Sequence, residues 1–200
     1  MNYSKLNEVE LDAIKEVSNI GAGNAATALS QMLNRKVDMT VPSVKIINFS
    51  DIYGLIAKED IVAGVLVRVL GDTPGNILFV FEKTVAFDII EQLTGMREDN
   101  ITEMGSSVLC EIGNVISASY MNAIANLTKL SIMPSVPAVA YDMMGAILST
   151  TFIESAEFSD EILEIETTLK SEDAKNLGGY FYYLPRAGSL EKILNSIGVI

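Results

Sequence analysis

A segment near the N-terminus recurs 95 residues further along the chain, and this repeat constrains the possible folds more than any other feature. Each copy contains a short polar residue, then Glu-x-x-Asn, and a proline 23 positions after the Asn. The aligned pairs are Asp12 and Ser107, Glu16 and Glu111, Asn19 and Asn114, and Pro42 and Pro137. Chance seldom preserves four such positions at one offset, so we interpret the chain as two related halves.

The repeated segment has the periodicity of an amphipathic helix. Small, apolar or aromatic residues recur on one stripe at 100° per residue in both copies. These residues are Ile14, Val17, Gly21, Ala25, Ala28 and Met32 in the first copy, and Leu109, Ile112, Ile116, Tyr120, Ala123 and Leu127 in the second. The polar residues of each motif cluster about 160° away from the stripe, so we expect them to face solvent.

Strand patterns follow each helix. Residues 62–70 are rich in valine, residues 71–75 form a turn signal and residues 76–81 are a second apolar run, which together predict an antiparallel hairpin. The second half shows alternation over residues 163–169, a turn at 176–179 and an aromatic run at 180–184. Each half ends in a short predicted helix closed by glycine, residues 84–94 with Gly95 and residues 189–197 with Gly198.

These patterns predict one α/β (α+β) domain over residues 1–200, with long amphipathic helices packed on a mainly antiparallel sheet. Its two repeats, related by a pseudo-two-fold axis, span about residues 8–95 and 103–198. The halves end at an offset of 103 instead of 95, so we expect a net insertion of eight residues in the second half, at 154–166 or 171–179.

Composition excludes several classes of function. The formal net charge of −12 argues against binding to nucleic acid or to anionic lipid. The chain has no histidine and only Cys110, which excludes disulfide frameworks, Cys/His zinc sites and mechanisms that need an imidazole base.

Neither membrane insertion nor secretion is predicted. The long uncharged stretches at residues 17–34 and 112–128 are interrupted by serine, asparagine and threonine. The N-terminus has no basic region followed by an apolar run, which a secretory signal requires. We therefore expect a cytoplasmic protein.

The exposed Glu and Asn of each motif suggest a way to position water. Most exposed Glu and Asn side chains simply meet solvent, but a solvated face has no need to keep the same pair in both halves. A carboxamide does not take up protons near neutral pH, yet it can hold a water through its carbonyl and amino groups. That suits hydrolysis of an already reactive bond, such as a phosphoryl bond, where the nucleophile need only be placed in line. Because the motif is predicted to project from a convex helix, we expect the substrate to be another protein.

The doubled motif, together with the segment at residues 16–28, resembles the CheC family of chemotaxis phosphatases. The resemblance implies that the protein hydrolyses the aspartyl phosphate of the response regulator CheY. Asn19 and Asn114 would each enter the receiver's active site and orient the attacking water, while Glu16 and Glu111 would contact the receiver's lysine. Mg²⁺ would be bound by the phosphorylated partner, with no metal or cofactor site on this chain. We expect both sites to be usable and favour the second slightly.

The family also binds CheD, a receptor-modifying deamidase, through a region that resembles residues 141–147. Asp142 is the only charged residue between Lys129 and Glu154, as a contact residue would be, but it could equally mark the start of a helix. The rival function is therefore a binding module that sequesters or regulates CheD. A switch phosphatase of the FliY type is disfavoured because the chain ends at Ile200, and the two motifs favour a monomer.

Two residues inside the motifs need separate comment. Ser18 stands where the second copy has Gly113, and we expect this small change on a helix face to be harmless. Cys110 adjoins Glu111 in an apolar helix, and without a histidine to activate it we expect a buried, inert thiol.

Overall fold

The structure, a computed structural model, describes residues 6–48, 60–156, 161–171, 179–186 and 188–200. These ranges contain five helices and seven strands. In chain order they are α1 (Glu8–Leu33), β1 (Val37–Asn48), β2 (Ile61–Gly71), β3 (Gly75–Glu82), α2 (Lys83–Thr94), α3 (Glu103–Thr128), β4 (Ile132–Pro134), β5 (Ala138–Met143), α4 (Met144–Ala156), β6 (Glu161–Ser171), β7 (Gly179–Pro185) and α5 (Ser189–Ser196).

The long helices α1 and α3 each contain 26 residues, and their bounds differ by 95 residues at both ends. Each begins at a polar cap. The side chain of Asn7 accepts a hydrogen bond from the N–H of Glu10 at 3.0 Å, and that of Thr102 accepts one from the N–H of Gly105 at 3.1 Å. Such caps satisfy N–H groups that have no partner within the first turn of a helix.

All described strand pairs are antiparallel, as predicted. Strand β2 pairs with β3 on one side and with both β4 and β5 on the other, β3 also pairs with β7, and β1 and β6 form a separate two-stranded sheet. The predicted hairpin is β2 and β3, joined at residues 72–74.

Alternation along β2 separates two apolar clusters. Ala63, Val65, Val67 and Val69 are buried in the main core, which they share with α1, α3, α2 and α5. Val62 faces the other way, into a smaller cluster beneath α4. Successive side chains of a strand point to opposite faces, so one strand contributes to both clusters.

The two halves differ in the strand that follows each long helix. Strand β1 spans residues 37–48, and the positions 95 residues later, 132–143, are divided into β4 and β5 by a break at 135–137. In β1 the equivalent place carries a register shift between Thr40 and Ser43. The long helices of the two halves have the same length, so the strand break is the main difference between the halves near their motifs.

The extra residues of the second half divide between the two predicted places. Strands β2 and β6 begin at 61 and 161, an offset of 100, while β3 and β7 end at 82 and 185, an offset of 103. Five of the eight additional residues thus precede β6 and three follow it. Residues 157–160 and 172–178, which include parts of both places, lie outside the described residues.

Helix α3 is long and apolar enough to cross a membrane by length and composition alone. It packs instead against α1 and the sheet, with Leu109, Ile112 and Ile116 completely buried. Core helices of globular proteins have this composition, so its hydropathy is explained by the packing.

The two long helices meet at Gly21 of α1 and Tyr120 of α3. A Cβ atom at position 21 would lie 2.5 Å from Cδ2 of the Tyr120 ring. That ring is buried and packs against Phe181 at a centroid distance of 4.9 Å, so it has little room to move. The pKa of Tyr120 is raised to about 12 by burial, with the nearby Ser18 side chain acting in the opposite direction. Glycine at position 21 therefore sets how closely the helices approach.

We predict that Gly21→Ala lowers the free energy of unfolding by about 1–3 kcal/mol, because the added methyl group overpacks the Tyr120 contact. Gly23→Ala is the matched control, since a Cβ atom at position 23 meets nothing within 4 Å. It should stabilise α1 by about 0.5–1 kcal/mol through helix propensity. Urea unfolding measures both values, and equal stability of the two variants would contradict the proposed contact.

Candidate functional site

The second motif lies on the exposed face of α3. Ser107, Glu111 and Asn114 are all exposed, while the apolar stripe of the same helix faces the core. The Ser107 hydroxyl donates to the carbonyl oxygen of Glu103 at 2.9 Å, within the helix. The Asn114 side chain makes no hydrogen bond to any residue that the structure describes. Its carbonyl and amino groups are therefore both available to an external ligand.

A groove of about 450 Å³ runs beside this face, between α3 and residues 134–137. Glu111 and Asn114 lie along one side, and Val136 forms part of the other. The sequence predicted a purely convex surface, and the structure differs here. At this place the strand is interrupted between β4 and β5, and the connecting residues line the groove beside the helix.

Ser135 holds the outer wall of the groove to the sheet. Its N–H donates to the carbonyl oxygen of Arg68 at 2.8 Å, and its Oγ accepts from the N–H of Arg68 at 2.9 Å. The same hydroxyl lies 3.0 Å from the carbonyl oxygen of Val136, to which it can donate. Residues 134–137 are thus anchored to β2, although they break the strand.

The first motif has a different environment. Asp12 and Glu16 are exposed, but Asn19 is half-buried and its Oδ1 accepts a hydrogen bond from the N–H of Val41 at 2.9 Å. The prediction that both amides face solvent freely is therefore wrong for Asn19. Strand β1 continues past α1 at this point, which brings a main-chain donor to the amide. In the second half the equivalent residue, Val136, lies in the break.

Position 18 lies on the inward face of α1. Ser18 is buried, close to the Tyr120 hydroxyl. At the equivalent position of α3, a Cβ atom on Gly113 would collide with Cγ1 of Val65. The second helix thus requires glycine because it lies closer to β2, whereas the first has room for a serine.

Cys110 is half-buried and lines the groove, whereas the sequence led us to expect a buried thiol. Its Sγ lies 3.7 Å from the carbonyl oxygen of Pro137, to which it can donate a weak hydrogen bond. Burial raises the pKa of the thiol, which disfavours the reactive thiolate form.

Asp142 lies far along the chain from both motifs, near the end of β5, and it is exposed. Its Oδ1 accepts from the N–H of Met143 at 2.7 Å, immediately before α4 begins at Met144. The position is therefore close to a helix start, as one interpretation of the sequence held, and it is also accessible to a partner.

Sequence reasoning did not single out Ser135 and Val136. The available signal was the pair of prolines that bracket them, Pro134 and Pro137, since proline cannot donate to a strand ladder. Within the described ranges, no cluster of three or more Cys, Asp or Glu side chains could hold a metal ion.

Comparison with known proteins agrees with this architecture. The model of the CheC-like family matches residues 9–46 and 104–141, two segments that are 95 residues apart. The chain is 34% identical to the CheY-P phosphatase CheC of Bacillus subtilis, over 98% of this chain and 97% of that protein.

Two solved structures share the fold. FliY of Thermotoga maritima matches with a TM-score of 0.80 and 22% identity, over 96% of this chain and 98% of that one. CheX in the CheX–CheY–BeF₃–Mg²⁺ complex of Borrelia burgdorferi matches with a TM-score of 0.54 and 17% identity, over 84% of this chain and 96% of that one. With its doubled Glu-x-x-Asn helix and a relative of this identity along almost its whole length, the chain belongs to the CheC-like family.

Proposed function

We propose that this protein is a phosphatase that hydrolyses the aspartyl phosphate of the response regulator CheY. The observation that carries the proposal is the exposed amide of Asn114, which makes no hydrogen bond to a described residue and lies one helical turn from Glu111 beside an open groove. Support comes from the Bacillus subtilis relative, named CheY-P phosphatase CheC, and from the similar CheX fold in a complex with CheY, BeF₃ and Mg²⁺.

The chemistry requires only positioning from this chain. The Asn114 carbonyl accepts a hydrogen bond from a water molecule and its amino group stabilises the orientation, so the water oxygen is directed in line at the phosphorus. Glu111 offers a carboxylate to a lysine of the receiver domain, which anchors α3 over the phosphorylated aspartate. Mg²⁺ held by the receiver would neutralise charge on the phosphoryl oxygens. The aspartyl phosphate is already reactive, so no strong base is needed.

The two halves contribute unequally in this proposal. Asn19 must release the N–H of Val41 before its Oδ1 can turn fully toward a partner, and that would leave a part-buried donor unpaired. Such a loss costs about 1–3 kcal/mol. Asn114 has no such bond to a described residue, so we assign most of the activity to the second motif. Asp12 and Ser107 lie about one helical turn before Glu16 and Glu111 on the same exposed faces. Neither residue touches the reacting atoms in this proposal.

We predict that Asn114→Ala slows dephosphorylation of CheY about tenfold, because it leaves only the first site, while Asn19→Ala slows it less than about threefold. Removing both amides should slow it by about 10²-fold or more, as expected for loss of a preorganised polar group. The decay of radiolabelled phosphorylated CheY gives the rates. If the double variant accelerates decay as much as the parent, at unchanged thermal stability, the proposed water-positioning role of the two amides is refuted.

A second surface, around Asp142, is proposed to bind CheD. The carboxylate is exposed at the junction of β5 and α4, and the neighbouring Met143 is 46% exposed, which places an apolar side chain beside a charge. Both lie outside the two Glu-x-x-Asn faces. The phosphatase would act as a monomer in the cytoplasm with separate surfaces for CheY and CheD.

We predict that Asp142→Lys abolishes binding to CheD in a pull-down and leaves CheY dephosphorylation within about twofold of the original rate. Asp142→Asn is the matched control, because it keeps an oxygen that can accept from the N–H of Met143 while losing the charge. It should weaken binding less than the lysine does. Retained CheD binding by Asp142→Lys would remove Asp142 from the interface.

A further inference from the structure

Val136 is the most exposed large apolar side chain among the described residues, with 89% of its surface accessible. Isolated exposed apolar residues are common, but this one lies on the wall of the groove that contains Glu111 and Asn114. It also projects from a segment that Ser135 fixes to the sheet through two hydrogen bonds with the main chain of Arg68. The side chain is thus presented on an anchored wall.

The first half shows what the same position does in an unbroken strand. Val41, which aligns with Val136 at the offset of 95, is 2% exposed and belongs to the main core. Its N–H donates a hydrogen bond to Oδ1 of Asn19, whereas the Asn114 amide makes no hydrogen bond to a described residue. The strand break therefore has two effects on the second motif: it frees the amide and it turns an apolar side chain outward beside it.

We propose that Val136 is an apolar docking residue for the receiver domain of phosphorylated CheY, and that it acts only at the second site. The inference rests on the proposed function, because the amide and the carboxylate in the same groove identify the occupant as the phosphorylated receiver. Burial of Val136 against an apolar part of the receiver raises affinity. Because the wall is already anchored by Ser135, binding loses little chain entropy there.

Val136 does not touch the reacting atoms in this scheme. Its contribution to CheY affinity can therefore be distinguished from the contribution of Asn114 to the rate of dephosphorylation. Glu111 and Asn114 supply the polar contacts that orient the receiver and the water, and Val136 supplies contact area. A change at position 136 should therefore alter the concentration of CheY that half-saturates the enzyme. It should leave the maximal rate of dephosphorylation unchanged within about twofold.

The test uses the full chain carrying Glu16→Lys, which blocks the first site by reversing an exposed charge and leaves the second as the working site. In this background we expect Val136→Asp to raise the half-saturating concentration of phosphorylated CheY about tenfold, a factor that corresponds to about 1.4 kcal/mol. The dissociation constant for CheY in BeF₃ and Mg²⁺ should rise by the same factor. Val136→Ile, which stays apolar, should bind as tightly as the parent.

Controls separate this inference from the proposed function. Ile153→Asp places the same charge at another exposed apolar position, on α4, and should leave CheY affinity unchanged. Asn114→Ala in the same background should lower the maximal rate, and an unchanged rate would refute the proposed water-positioning role of Asn114. If that rate falls but Val136→Asp binds CheY normally, the docking role is overturned. It is also overturned if Val136→Asp changes only self-association of the chain, measured by sedimentation.

Discussion

The close contact between α1 and α3 at Gly21 and Tyr120 is the constraint on which the arrangement of both motifs depends. The missing side chain at position 21 lets the tyrosine ring fill the space between the helices, and the ring in turn packs against Phe181 of the sheet. With the apolar stripes directed inward, the polar faces of both helices must point away from the core. The exposure of the two Glu side chains is thus a consequence of helix packing.

The strand that follows each helix determines the environment of its asparagine. Where β1 runs past α1, the main-chain N–H of Val41 donates a hydrogen bond to the side-chain oxygen of Asn19. Where the strand breaks between two prolines, the same amide on α3 is left accessible and a groove opens beside it. A small difference in backbone path therefore gives the asparagines of two similar helices different environments.

The motif helices and α4 lie on opposite faces of the sheet, because successive side chains of β2 point to opposite sides. The helices with the Glu-x-x-Asn motifs cover the face of β2 that carries Val65 and Val67, while α4 and the neighbouring Asp142 adjoin the opposite side. The surfaces proposed for CheY and for CheD therefore lie on opposite sides of the sheet. The acidic character of the chain suits partners that present lysine, as Glu111 requires in the proposed mechanism.

The sequence by itself determined the two helices, the antiparallel hairpin and the outward direction of Glu16 and Glu111, because helical and strand periodicity decide which side chains can be buried together. It could not determine that Asn19 is bonded to Val41, that Ser18 is buried, or that Val136 projects beside Asn114. Those outcomes depend on how far a strand continues past a helix, and on distances of a few ångströms between segments remote in sequence. Periodicity carries no information about such distances, so only the tertiary structure decided how the two motifs differ.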